Sequence, residues 1–310
     1  MKKNIVIGTR GSQLALWQAN FIKSEIEKLF PDLTVALNII KTTGDQITDR
    51  PLAMVGGKGL FVKEIETALL NNEIDIAVHS MKDMPGTLPD GLMIGAVPKR
   101  ENPLDVLISR DKSLLANYKK GAKVGTSSLR RASQIKHLRP DVTIADIRGN
   151  LDTRIKKLKS GEYDAIVLAA AGLRRLGLEE EITEYLDESI MTPAVGQGAL
   201  CIETRKNDAD IAMIMQKLNH PDTQVCVTGE RAFLKEIEGS CHIPVACFAK
   251  IKDNIVSMMA VVASVDGNTM VKEYAISPVD QVEESGRELA RLVLEKGGKT
   301  ILEQLKTHDK

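Results

Sequence analysis

The sequence predicts an α/β protein with an α+β tail, on three observations. Short apolar runs alternate with amphipathic helical patterns from residue 1 to about 217, the mark of a sheet with crossover helices. A strand, polar loop, helix phrase recurs five times in that stretch. Beyond Asn219-His220-Pro221 the order changes to one helix, three strand-like runs and a closing helix.

Each element follows from local pattern. Asn4 to Ile7 reads as a strand, Ser12 as an N-cap, and Leu14, Trp17, Phe21, Ile22, Ile26 and Leu29 as a helical stripe. Trp17 and Phe21 are therefore expected in the core. Ile74 to Val78 opens onto His79-Ser80-Met81-Lys82-Asp83, with His79 read as a buried structural histidine ahead of a second acid–base group. Lys123-Val124-Gly125 leads into Thr126-Ser127-Ser128 and a helix through Leu138. Val142 to Ile147 leads into Arg148-Gly149-Asn150, with Asn150 as N-cap, and Asp164 to Leu168 into Ala169 to Arg175. Ligands of open α/β sheets bind beyond the carboxyl ends of the strands, where all five loops belong. In the tail, Val245–Ile251, Ile255–Val265 and Thr269–Ser277 read as strands joined by hairpin turns at Asp253-Asn254 and Asp266-Gly267-Asn268. A final helix starts near Gln281.

Three domains are expected: residues 1–99 with 193–217, residues 100–192, and residues 218–310. Pro98 and Pro103 bracket one boundary, and the Thr192-Pro193 to Gly196-Gln197-Gly198 segment marks another. Thr42 to Gly59 has no clear period and reads as a loop or lid, with Lys58 near its end.

Lysine plus arginine (42) balances aspartate plus glutamate (42), which argues against a general nucleic-acid binder. The first apolar run is too short for a signal peptide and no stretch reaches membrane-spanning length. The four cysteines show no C-x-x-C pair, so a reduced, cytoplasmic protein without metal is expected.

Charge placement is more informative than charge total. Arg10, Arg130, Arg131, Arg148, Arg154 and Arg174 or Arg175 sit at or near predicted helix N-termini. There, unpaired N–H groups and the positive dipole end favour anions. Ser12, Thr126, Ser127 and Ser128 add hydroxyl donors. The set implies a ligand with several negative charges, and no G-x-x-x-x-G-K-[ST] favours nucleotides. Asp83 is an acid among these basic loops, either a turn residue or a carboxylate facing a cation or a departing amine. In Gly239-Ser240-Cys241-His242-Ile243-Pro244, a thiol sits in a tight loop between helix-like and strand-like runs.

The run "ERAFLKEIEGSCHIPVA" (Glu230 to Ala246) resembles the cofactor-attachment signature of the porphobilinogen deaminase, or hydroxymethylbilane synthase, family. "IGTRGSQLALWQA", "VHSMKDMP", "VGTSSLRR", "IRGNLDTR", "AAAGLRRLG" and "PAVGQGAL" resemble further segments of that family in the same order. The resemblance implies two domains like type II periplasmic binding proteins with the active cleft between them, and a third carrying Cys241. It implies a dipyrromethane primer joined to Cys241 by a thioether. Four porphobilinogen molecules are condensed head to tail onto the primer with loss of ammonia, and hydroxymethylbilane is released by water. Asp83 matches the catalytic aspartate. Lys82, Ser128, Arg130, Arg131 and Gly149 match cofactor-binding positions. Arg10, Ser12, Lys58, Thr126, Ser127, Arg148, Asn150, Arg154, Arg175 and Gln197 match positions for the carboxylates of substrate and chain. A monomer in tetrapyrrole synthesis is implied, with no nucleic-acid or membrane partner. An anion receptor without chemistry explains the arginines but leaves Cys241 and Asp83 incidental; a thiol redox protein explains Cys241 but not the arginines.

Overall fold

The structure is a computed structural model and describes residues 2–46, 59–237 and 243–308; Lys58, Cys241 and His242 lie outside them. It divides into two compact units, Met1–Glu101 with Ala199–Gln224, and Asn102–Gly198 with Val225–Lys310.

The first unit is built on a mixed five-stranded sheet. Strand β1 (Asn4–Thr9) lies between β2 (Thr34–Ile39) and β3 (Ile76–Ser80), both parallel to it. Beside β3 runs β10 (Leu200–Arg205), antiparallel to it and to the edge strand β4 (Leu92–Ala96). Helix α1 (Gln13–Leu29) starts where Ser12 Oγ accepts the Ala15 N–H at 3.3 Å and stops before Pro31, which cannot continue it. It buries Ala15, Gln18, Ala19, Ile22 and Ile26. With α7 (Ala209–Leu218) it covers the sheet face that bears Ile5, Ile7, Ile76 and Val78. Short helix α2 (Thr43–Gln46) begins the stretch read as a lid, whose residues 47–58 lie outside the described chain. Helix α3 (Lys63–Leu70) packs Ile65, Ala68 and Leu69 on the opposite face, over Ala77.

One expectation is corrected here. Trp17 and Phe21 are not core: they are 36% and 39% exposed and stack on each other, centroids 5.4 Å apart. Their i, i+4 spacing forms a second stripe beside the buried one, and the smaller Ala15 and Ala19 take the sheet-facing positions.

The second unit repeats the topology. Strand β6 (Lys123–Gly125) lies between parallel β7 (Thr143–Ala145) and β8 (Ala165–Ala169). Strand β5 (Asp105–Ser109) runs antiparallel to β8 and to the edge strand β9 (Glu184–Leu186). Helix α4 (Leu129–Leu138) covers one face, and α5 (Leu151–Lys159) with α6 (Ala170–Arg175) covers the other. The same unit holds a three-stranded antiparallel sheet, β11 (Val245–Lys252), β12 (Ile255–Ala263) and β13 (Met270–Pro278). Asp253 and Asn254 turn its first hairpin with φ of +51° and +59°, the left-handed pair such a two-residue turn needs.

Helices α8 (Pro221–Glu236) and α9 (Val282–Val293) contribute Phe233, Leu289, Ala290 and Val293 to the core against that sheet, and α10 (Lys299–His308) adds Ile301. Their backbones meet at two glycines. A Cβ on Gly286 would lie 2.3 Å from the Gly229 carbonyl oxygen, too close for any side chain. Gly286→Ala should therefore force the helices apart and cost about 1–3 kcal/mol, seen as a lower urea midpoint with an unchanged slope.

Candidate functional site: anion-binding loops at the strand ends

Within each unit, the loops singled out from the sequence leave the carboxyl ends of strands that run parallel in that unit's sheet. In the first unit, Gly8 pairs with Ala77, so Ser80 comes level with Gly11. The Arg10–Ser12 turn and the Asp83 turn thus emerge side by side, where the strand order reverses between β1 and β3. Asp83 ends a 3₁₀ turn, Met81–Asp83, held by the buried Met81 and Met84. Its side chain and that of Lys82 are half-buried. Ser12 caps α1. The Arg10 Nε donates to both Asp45 carboxylate oxygens at 3.1 and 3.2 Å, and its guanidinium lies 4.1 Å from the Phe61 ring centroid. Burial raises the Asp45 pKa, but hydrogen bonds and charge from Arg10, with Thr42, outweigh it and hold the carboxyl below its ordinary value.

The second unit has the same arrangement. Gly125 pairs with Ala145 and Ile166, which brings Ser128, Arg148 and Ala169 level. Ser128 caps α4 through the Arg131 N–H, Thr126 Oγ1 accepts the Ser128 N–H at 3.2 Å, and Ser127 bonds to the Ile147 backbone. Asn150 Oδ1 caps α5 by accepting the Thr153 N–H at 3.0 Å. Gly149 has φ +110°, and a Cβ there would lie 2.6 Å from Thr153 Cγ2, so only glycine fits this turn.

Beneath these loops lies a group that the sequence reading missed. Asp105 is fully buried and accepts from Arg130 Nη1 at 2.7 Å, Arg131 Nε at 2.8 Å and Gln197 Nε2 at 3.1 Å. Burial pushes its pKa up, but Arg130 and then Arg131 outweigh that and hold it far below the usual carboxylate range. Arg130 also donates to the Thr192 carbonyl at 2.8 Å, Arg131 to the Val167 carbonyl at 3.1 Å, and Arg175 to the Gly198 carbonyl at 2.8 Å. Gln197 is completely buried and holds this cluster. One signal was available: an acid heads the apolar run Val106-Leu107-Ile108, and acids rarely enter cores unpaired.

Arg154 stands apart. Its Nε donates to the Gly149 carbonyl at 2.9 Å, and its terminal amino groups donate to none of the described residues. Burial first, then the Arg131 charge, with Arg148 adding and Asp146 opposing, push its pKa down to about 10. A guanidinium destabilised by neighbouring guanidiniums gains when an anion arrives. Arg148 is paired with Asp146 at 3.1 Å at the surface. Among the described residues, no group of three or more His, Cys, Asp or Glu side chains is placed for a metal ion. No described helix is long and apolar enough to cross a membrane. Cys201, Cys226 and Cys247 are buried and form no disulfide among the described residues.

The fold of each unit defines an α/β protein with arginine-bearing, helix-capping loops at the strand ends, a donor set of the kind that suits carboxylates or phosphates. Residues 5–213 match the family model "Porphobilinogen deaminase, dipyromethane cofactor binding domain", and residues 224–295 match "Porphobilinogen deaminase, C-terminal domain". The chain is 50% identical over 303 residues to a porphobilinogen deaminase of Pelobacter propionicus, covering 98% of this chain and 97% of the relative. It is 47% identical over 310 residues to one from Chlorobium luteolum, covering 99% of each. The chain belongs to the porphobilinogen deaminase (hydroxymethylbilane synthase) family of tetrapyrrole biosynthesis and has its dipyrromethane cofactor-binding domain. Among solved structures it is similar to the Bacillus subtilis amino-acid transporter binding protein YtmK. That likeness has a TM-score of 0.42 and 15% identity, covering 70% of this chain and 90% of the other; a score this low carries no inference. The donor set fits a dipyrromethane, whose rings bear carboxylates: guanidiniums, hydroxyls and helix N-termini are the groups that bind them.

Asp105→Asn should leave Arg130 and Arg131 buried around a neutral amide and cost about 3–5 kcal/mol, read from urea denaturation. The stability Asp105 confers is complete above its ordinary value of 3.8 and is lost only as pH falls below it. The difference between wild type and variant should therefore stay constant from neutrality down to about pH 4.

Proposed function

We propose that this chain joins four porphobilinogen molecules head to tail on a dipyrromethane held as a thioether by Cys241, then releases hydroxymethylbilane. Four ammonia molecules leave during the additions, and one water enters at release. The observation that carries this reading is the set of arginines beside the capped N-termini of α4 and α5 at one group of strand ends, where Arg154 is bonded through Nε to the Gly149 carbonyl. When bound, the cofactor supplies a permanent pyrrole carbon nucleophile from which the chain grows.

The protein's own residues have separable tasks. Asp83, as a carboxylate, stabilises positive charge developing on the substrate pyrrole as ammonia departs, and takes part in moving the protons. Lys82, Ser128, Arg130 and Arg131, with Gly149 permitting close backbone approach, hold the cofactor. Arg10, Ser12, Lys58, Thr126, Ser127, Arg148, Asn150, Arg154 and Arg175 receive the acetates and propionates of substrate and chain. Gln197, buried against Asp105 and Arg130, acts through Arg130. Arg10 exchanges its Asp45 partner for a ligand carboxylate. A three-domain monomer working in the cytoplasm fits this reading.

Intact mass of the purified protein and of Cys241→Ser tests the attachment. A covalent excess equal to one dipyrromethane, present only with Cys241, is expected; two unmodified masses from cells that make porphobilinogen would leave an anion receptor instead. Asp83→Asn should retain the wild-type fold and its covalent mass while ammonia release falls by about 10² or more. Near-normal ammonia release would remove Asp83 from the mechanism.

A further inference from the structure

The strand that delivers Asp83 is pinned on both faces by buried polar pairs. On the α1 side Gln18, 2% exposed, donates through Nε2 to Ser80 Oγ at 2.9 Å. On the α3 side His79 Nε2 lies 3.1 Å from Glu203 Oε2, both side chains buried. These are the last rungs before the turn: His79 pairs with Cys201, Ser80 with Leu200, and the Met81 N–H donates to the Ala199 carbonyl at 3.0 Å. Buried polar pairs of this kind fix strand register, since a one-residue slip would turn His79 away from Glu203.

A second carboxylate completes the group. Glu66 projects from α3 and is 7% exposed. Oε1 of Glu66 and Oε1 of Glu203 are both buried without a hydrogen-bond partner. Two carboxylates and one imidazole in a buried site can hold one ion pair, but a second negative charge meets no further cation among the described residues. Helix α3 packs on β1, β3, β4 and β10. Strands β1 and β4 contain no titratable side chain. From β10 come Glu203, the Cys201 thiol and Arg205, whose guanidinium is spent on the Leu69 and Ile74 carbonyls and on Asp75 and Asp208. On α3 itself Glu64 is held by Thr43, and Lys63 is exposed.

We propose that Glu66, Glu203 and His79 form a buried proton-holding cluster that positions the Asp83 turn, and that the turn loosens when the cluster loses its proton. The proposal rests on the catalytic reading of Asp83; the three residues touch no reacting atom and act through the β3–β10 ladder. Burial, then the Glu203 charge, push the Glu66 pKa up to about 7, so the proton is held below neutrality and released above it. Ionised Glu66 then repels Glu203 across the α3–β10 contact at the foot of the turn.

The test is amide hydrogen exchange over residues 76–84 of the whole protein at about pH 6 and about pH 8.5, corrected for intrinsic rates, beside kcat and KM across the same range. Wild-type protection should drop about tenfold at the higher pH, and kcat should show a decline that begins near neutrality. Glu66→Gln should abolish both changes, with KM within about twofold of wild type. His79→Gln should lower kcat and exchange protection at both pH values while the covalent mass excess over its own sequence stays that of the wild type. Exchange and kcat profiles in Glu66→Gln that parallel wild type would overturn the proposal. Exchange does not involve turnover, so an active Asp83→Asn would sink only the catalytic reading.

Discussion

The second unit depends on one buried carboxylate. Asp105 accepts hydrogen bonds from Arg130, Arg131 and Gln197 with no exposed surface of its own. Two adjacent guanidiniums at the first turn of a helix face the positive end of its dipole, the least favourable place for cations. Asp105 at the start of the antiparallel strand makes their burial tolerable. It does not neutralise them: two cations against one anion leave an excess positive charge, which adds to burial in lowering the proton affinity of Arg154. The fold thus holds a cation surplus under its loops by committing a single acid below them.

That arrangement follows from topology. In each unit a first strand is flanked by the second and third, and a fourth, antiparallel strand separates the third from the edge. The antiparallel strand in each case comes next to a passage of chain between units: β5 follows the first unit and β10 returns to it. Three parallel strands then end on the same side, and every loop after them starts a helix or a 3₁₀ turn. Helix N-termini therefore gather without any need for a dedicated binding motif. Serine and asparagine caps serve the helices first, so Ser12, Ser128 and Asn150 are legible in the sequence for a local reason independent of any ligand.

The readable parts were those set by local physics. The parallel strands β1, β3, β6, β7 and β8, the tail sheet, the caps Ser12 and Asn150 and the hairpin at Asp253-Asn254 follow from period and turn chemistry, while β2, β4, β5, β9 and β10 were not read; His79 is buried as its apolar surroundings suggest. What local pattern could not give was partnership across long sequence separation. Asp105 and Arg130 are far apart in the chain, as are His79 and Glu203, and nothing near either acid names its partner. Trp17 and Phe21 failed for a different reason. Hydrophobicity alone ranks the largest side chains as most buried, whereas the close packing of α1 on the sheet selects alanines.

Glu230 shows how the buried acids are connected. It is completely buried on α8, and its two oxygens accept the Gly196 N–H at 2.6 Å and the Ala249 N–H at 2.9 Å. The segment it grips is the one whose Thr192 carbonyl and Gln197 side chain bind Arg130, and whose Gly198 carbonyl binds Arg175. A carboxylate satisfied by backbone amides resists displacement more than one held by a mobile side chain, because the amides cannot rotate away. Small residues in that segment, Gly196 and Gly198 with φ of +68° and +86°, let its backbone turn one carbonyl to an arginine and one N–H to a glutamate within a few residues. Helix α8 and the arginines at the strand ends of the second unit are therefore held by the same short stretch of backbone. Val195 of that stretch also packs in the core with Phe233 of the helix, so hydrogen bonds and packing join them together.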